Sequence, residues 1–165
     1  MKKRIFSILL LCVFLLPVGC AGQRVPAEQV LLALTRSEVG LPPGQIYLSA
    51  SERHEASYLP PELISALYGK GELPWQLALI ENYGIFLSTA QHPCEFAVFR
   101  CYANSDTDAV AAMCHARLDV LRAHYKGTQY ASYTESARVV IMGKHVLLLV
   151  SADPQAAQQT AKQVL

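Results

Sequence analysis

Apolar residues recur along the chain in two alternating rhythms. After a short polar stretch, Pro26 opens a segment with Val30, Leu31, Leu34 and Glu38 at helical spacing, stopped by Gly40-Leu41-Pro42-Pro43-Gly44. Gln45–Ala50 alternates weakly and predicts a short edge strand, and polar Ser51–Tyr58 predicts a loop. Pro61 opens a second helix with Leu63, Ile64, Leu67 and Tyr68 on one face and Gly69 at its end. A helical turn at Trp75–Ala78 leads into a long period-two run. There Leu79, Glu81, Tyr83, Ile85 and Leu87 face one way and Ile80, Asn82, Gly84, Phe86 and Ser88 the other, with Gly84 a candidate bulge.

Glu95–Tyr102 predicts the next strand, with Phe96 and Val98 on one face and Ala97, Phe99 and Cys101 on the other. Ser105-x-x-Asp108 reads as a helix start. Val110, Met113, Cys114, Arg117, Leu118, Leu121 and Tyr125 then form the inner stripe of a long helix. Lys126–Ser136 is a polar, Tyr-bearing loop. Arg138–Met142 and His145–Ser151, joined by Gly143-Lys144, predict a hairpin, and Asp153-Pro154 caps a last helix with Ala157, Ala161 and Val164 inward. The order predicts an α+β fold: a four-stranded, mainly antiparallel sheet in β-β-α-β-β-α order, helices on one face, preceded by two short helices. The all-apolar run of His145–Val150 predicts a central strand covered on both sides.

The first twenty residues follow a third pattern. Lys2-Lys3-Arg4 precede an apolar run from Ile5 to Val18, broken only by Ser7, and Gly19-Cys20 close it. The run is short for a bilayer span, which needs about 20 residues, and Pro17 breaks it near its end. This is the plan of a cleaved leader. It resembles a bacterial lipoprotein signal, in which cleavage before the cysteine leaves a lipid-bearing N-terminus. Val18 and Gly19 fit that pattern, whereas Pro17 stands where an aliphatic residue is usual. The expected division is a signal peptide over 1–19, a tether over 20–25 and one domain over 26–165, with Cys20 the lipidation site. Ordinary secretion with cleavage after Ala21, and an uncleaved anchor, are the alternatives.

Loss of 1–19 removes three cations, taking the formal charge from +1 to −2, with 11 Lys+Arg against 13 Asp+Glu. No basic run remains, which argues against nucleic acid and against a polybasic hold on anionic lipid. The expected partners are the membrane, through a lipid anchor, and an envelope protein. The 146 remaining residues suit one domain that folds without metal or disulfide. With Cys20 acylated, Cys94, Cys101 and Cys114 form an odd set.

Several pieces taken in order carry a likeness: Leu67-Tyr68-Gly69, the strand near Tyr83–Leu87, Pro93-Cys94-Glu95-Phe96-Ala97-Val98-Phe99, Arg117-Leu118, and Gly143-Lys144-His145-Val146-Leu147-Leu148 before Asp153. Over roughly residues 63–165 the chain resembles a domain-of-unknown-function family of small lipoproteins in Clostridia-type Firmicutes. The resemblance implies a small extracytoplasmic α+β domain and lends no catalytic residues. Cys94 stands where that family's pattern commonly has an acidic residue.

Candidate chemistry is sparse. His92, Cys94, Cys101, Cys114 and His115 offer zinc-type ligands without paired knuckles, so no metal or cofactor is expected. Cys94 and Cys101 lie seven apart, which points them to opposite faces of a regular strand; a disulfide between them needs both strand ends to approach. His54-Glu55-Ala56-Ser57-Tyr58 lacks the second histidine of a zinc-protease motif, and neither a phosphate loop nor a serine elbow is found. Arg117 on an apolar stripe demands a counterion, Glu95 or Glu81, unless it serves as an anion site. Tyr130 and Tyr133 are candidate partner contacts, and Trp75 reads as core or a helix staple. The expectation is a non-enzymatic accessory or binding module on the outer face of the cytoplasmic membrane. The alternative is a small envelope enzyme or small-ligand binder using Arg117, Glu95 and His92.

Overall fold

The computed structural model describes residues 24–89 and 91–165. The leader and Cys20, the expected lipidation site, lie outside the described residues. The elements are α1 (Ala27–Ser37), β1 (Gly44–Leu48), α2 (Pro61–Tyr68), β2 (Ile80–Ser88), β3 (Glu95–Cys101), α3 (Thr107–Tyr125), α4 (Ala131–Ser136), β4 (Arg138–Met142), β5 (His145–Val150) and α5 (Pro154–Val164). A 3₁₀ turn at Trp75–Leu79 leads into β2. The sheet has five strands in the order β1-β2-β3-β5-β4, every neighbouring pair antiparallel.

The α+β class and the antiparallel pairing stand, while the strand count and the layering are corrected. The weak alternation near Gln45 is a full edge strand, in register with β2 from Gly44 opposite Ser88 to Leu48 opposite Gly84. Helices cover both faces, not one. Ile85, Ala97, Phe99, Cys101, Val146, Leu148 and Val150 face α2 and α3, and Phe86, Phe96, Val98, Leu147 and Leu149 face α1 and α5. All residues of β3 and β5 are therefore buried. A strand sandwiched between two helical layers has no solvent face to mark with polar residues, which is why β5 is apolar from Val146 to Val150 after His145.

Local chemistry sets the boundaries. Asp153 Oδ1 accepts from the Gln155 and Ala156 backbone N–H groups at 3.1 and 2.9 Å, an N-cap beside Pro154 that starts α5. Gly143, at φ +57°, supplies the left-handed residue of the β4–β5 hairpin. The start of α3 differs from expectation: a 3₁₀ turn over Asn104–Asp106 precedes it, and the Asp106 carboxylate, not Ser105, accepts the Ala103 N–H at 3.1 Å. Lys126–Ser136 is not all loop, since it folds into α4. Gly84 carries no bulge, because the register shift of β2 falls between Ile80 and Asn82. Gly84 lies beneath α1, where a Cβ would sit 3.0 Å from Leu31 Cδ2, so the missing side chain lets the helix approach the sheet. Trp75 is neither core nor staple; it is 66% exposed. Val25 packs against the α1–α5 side of the core, and its carbonyl accepts from His145 Nε2 at 2.9 Å.

Candidate functional site

Glu95 opens β3 and, two positions before Ala97, points to the same face as Ala97, Phe99 and Cys101. That face meets α3. Arg117 lies one turn beyond Cys114 on the buried stripe of α3, so the fold brings the two charges together. Arg117 donates to Glu95 Oε2 from Nη2 at 2.7 Å and from Nε at 3.0 Å. Tyr68, the last residue of α2, donates its hydroxyl to Oε1 at 2.7 Å. Its ring meets Phe99 edge-on, with centroids 5.5 Å apart. The Glu95 side chain is 2% exposed and that of Arg117 14%. The carboxylate is thus saturated by charge-assisted and hydroxyl donors, the condition on which a buried charge persists. Burial opposes the Arg117 charge, but Glu95 more than offsets it and the guanidinium pKa rises. Burial and the Glu95 charge push the Tyr68 hydroxyl well above its ordinary value, so it remains a donor.

Glu81, the other sequence candidate for Arg117, is taken elsewhere: it pairs with Arg100 of β3. Tyr68 is the member of the network that the sequence hid. It reads as one more apolar position of α2, and the only signal was that a buried tyrosine hydroxyl needs a partner.

A cleft of about 160 Å³ opens beside this pair, with Leu67, Ser88, His92, Cys94 and Tyr125 among its walls. His92 Nδ1 accepts the Cys94 N–H at 3.1 Å, which leaves the ring proton on Nε2. Burial lowers the His92 pKa, so the imidazole is neutral near pH 7. Its ring meets two tyrosines, Tyr130 at a tilt and Tyr133 edge-on, with centroids 4.7 and 4.9 Å apart. Tyr125 extends the cluster to Tyr130 at 6.2 Å. Two groups of residues that seemed independent in the sequence, the Arg117–Glu95–His92 set and the Tyr130–Tyr133 pair, therefore form one region. The tyrosines are half-buried against His92, with α4 holding them there.

The cysteines do not form the Cys94–Cys101 bridge. All three are buried free thiols, with Cys94 in the α1–α5 core and Cys101 and Cys114 in the α2–α3 core. Strand alternation sends Cys94 and Cys101 to opposite faces of the sheet, so their sulfurs cannot meet. Burial pushes Cys94 up to about 12 and Cys101 to about 11, and raises Cys114 as well. None is a thiolate at neutral pH, so none is an activated nucleophile. Among the described residues no three His, Cys, Asp or Glu side chains converge on a metal-sized site. His54 and Glu52 are a solvated pair, 3.6 Å apart.

No protein-family model, no curated protein and no solved structure matches the chain.

Proposed function

We propose that the protein is a non-enzymatic module held at the outer face of the cytoplasmic membrane by lipid on Cys20, of the small-lipoprotein kind its sequence resembles. The observation that carries the non-enzymatic part is the internal satisfaction of Glu95. A catalytic acid or base keeps a free carboxylate oxygen for its substrate, whereas Arg117 and Tyr68 occupy both oxygens of this one. The adjoining cleft of about 160 Å³ falls below the roughly 300–1,000 Å³ of small-molecule sites. The neutral thiols offer no nucleophile. The pair joins α3 to the sheet, and α3 with α4 presents the tyrosine cluster, which is the surface we assign to an envelope protein partner.

The lipid supplies the attachment. Among the described residues no helix is long and apolar enough to cross a membrane. Fractionation of cells producing the wild-type chain and Cys20→Ser tests this reading. The wild type should sediment with membranes and resist high salt, and the variant should leave them. An equal distribution of the two would contradict the lipid anchor.

A further inference from the structure

A second and larger cleft, of about 560 Å³, lies at the end of the sheet where the β4–β5 turn, the end of α5 and residues 24 and 25 come together. Its charged side chains are Arg24, Arg100, Lys144 and Lys162, with His145 beside them; no Asp or Glu side chain lines it, and the Leu165 carboxylate stands among the cations. These are four of the 11 Lys and Arg that remain after residue 19, on a chain portion whose formal charge is −2. Among the described residues Arg100 alone of the four pairs with a carboxylate side chain, Glu81. Lys144 is held by donation to the Tyr102 carbonyl at 2.6 Å, which fixes its position without neutralising it. Arg24, Lys144 and Lys162 are exposed.

The cleft sits where the tether leaves the domain. The Val25 carbonyl is fixed by His145, and the Ala27 N–H by Asn82 Oδ1 at 2.8 Å. Arg24 follows Cys20 by four residues, a span of at most about 14 Å of extended chain. Lipid on Cys20 places that atom at the boundary of the hydrocarbon, beneath a headgroup layer of about 5–8 Å on each side. The tether therefore holds the cleft within about 9 Å of the headgroup surface.

We propose that this cleft receives the phosphate of an anionic phospholipid headgroup and so orients the domain on the bilayer, an inference that rests on the reading of Cys20 as the acylated residue. Attachment comes from the acyl chains, and the cations set which face looks down. The basic group escapes a linear reading because its members come from positions 24, 100, 144 and 162, which only the fold assembles.

The test is amine footprinting of the membrane-extracted protein, reconstituted in phosphatidylglycerol-containing vesicles and in pure phosphatidylcholine vesicles. Lys144 and Lys162 should be protected several-fold in the anionic vesicles only, while Lys70 and Lys126, which lie outside the cleft, label equally in both. Arg24→Gln should abolish the lysine protection without releasing the protein from the vesicles. Equal labelling of Lys144 and Lys162 in the two lipids would overturn the proposal, and so would the same protection produced by inorganic phosphate with neutral vesicles, which would make this a free-anion site. The mass of the Cys20 peptide from the same sample reports the anchor separately. Should that peptide carry no lipid, the anchor reading fails. The cleft is then judged by the same footprint with vesicles added to the soluble protein, where absent protection overturns it.

Discussion

Replacing Arg117 by Met leaves the Glu95 carboxylate, 2% exposed, with Tyr68 as its only remaining donor. Removing one partner of a buried ion pair costs about 3–5 kcal/mol. Because Arg117 is 14% exposed at the cleft edge and water can enter there, about 3 kcal/mol is the expected value. That is a large share of the roughly 5–15 kcal/mol that holds a domain together. With a urea slope of about 1–3 kcal/mol per molar, the midpoint should fall by about 1–3 M. Glu95→Gln keeps an oxygen for the Tyr68 hydroxyl and leaves Arg117 able to reach water, so its cost is smaller, about 1–2 kcal/mol. The double variant restores an uncharged, hydrogen-bonded contact and should lie closer to wild type than Arg117→Met does, a coupling of about 2 kcal/mol. Urea unfolding followed by circular dichroism on the four proteins measures this cycle. Should Arg117→Met stay within about 0.5 kcal/mol of wild type, the range of an ordinary surface substitution, the pair is not a structural tie and the anion-site reading takes its place.

The buried thiols should resist alkylation at pH 8 in the folded protein and react together on unfolding, since burial holds Cys94 near 12 and Cys101 near 11; non-reducing mass analysis should find all three reduced, and rapid labelling of Cys94 in the native state would contradict its placement. His145 should make the fold acid-sensitive: burial lowers its pKa in the folded state below the ordinary imidazole value of about 6.5, so the unfolded chain binds the proton first. The His145 contribution is then complete above about pH 6.5 and is lost as pH falls through that value toward the lower folded pKa. Thermal melts from pH 7.5 to 5 should show this loss, and His145→Gln should flatten it; an unchanged profile in the variant would refute the assignment.

The sequence made most of the sheet legible because period-two runs report directly on faces. Phe96 and Val98 separate from Ala97, Phe99 and Cys101 as the alternation requires. The layering was misjudged although one strand had announced it. His145–Val150 had no polar face, which is compatible only with cover on both sides, yet the amphipathic stripes of α1 and α5 do not say which side of the sheet they choose. Gly84 looked like a bulge because a glycine in a strand has two physical causes, an extra residue or a close neighbour, and α1 lies far from it in sequence. In the candidate site, Arg117 announced its need for a counterion through its place on an apolar stripe, and Glu95 was one of two acids in reach. Nothing local distinguishes Glu95 from Glu81; the choice follows from their places along the sheet, since Glu81 lies beside Arg100 at one end of β3 and Glu95 opens the other end. The placement of His92 beside Tyr130 and Tyr133 was not legible at all, since a contact between the β2–β3 loop and α4 depends on the packing of α3 across the sheet.

The claim on which the functional account turns is the anchor, and the mass of the N-terminal peptide of protein taken from the membrane fraction tests it most directly. The account predicts a chain beginning at Cys20 with acyl groups on that residue. A chain retaining Met1, or an unmodified N-terminus beyond Cys20, would contradict it.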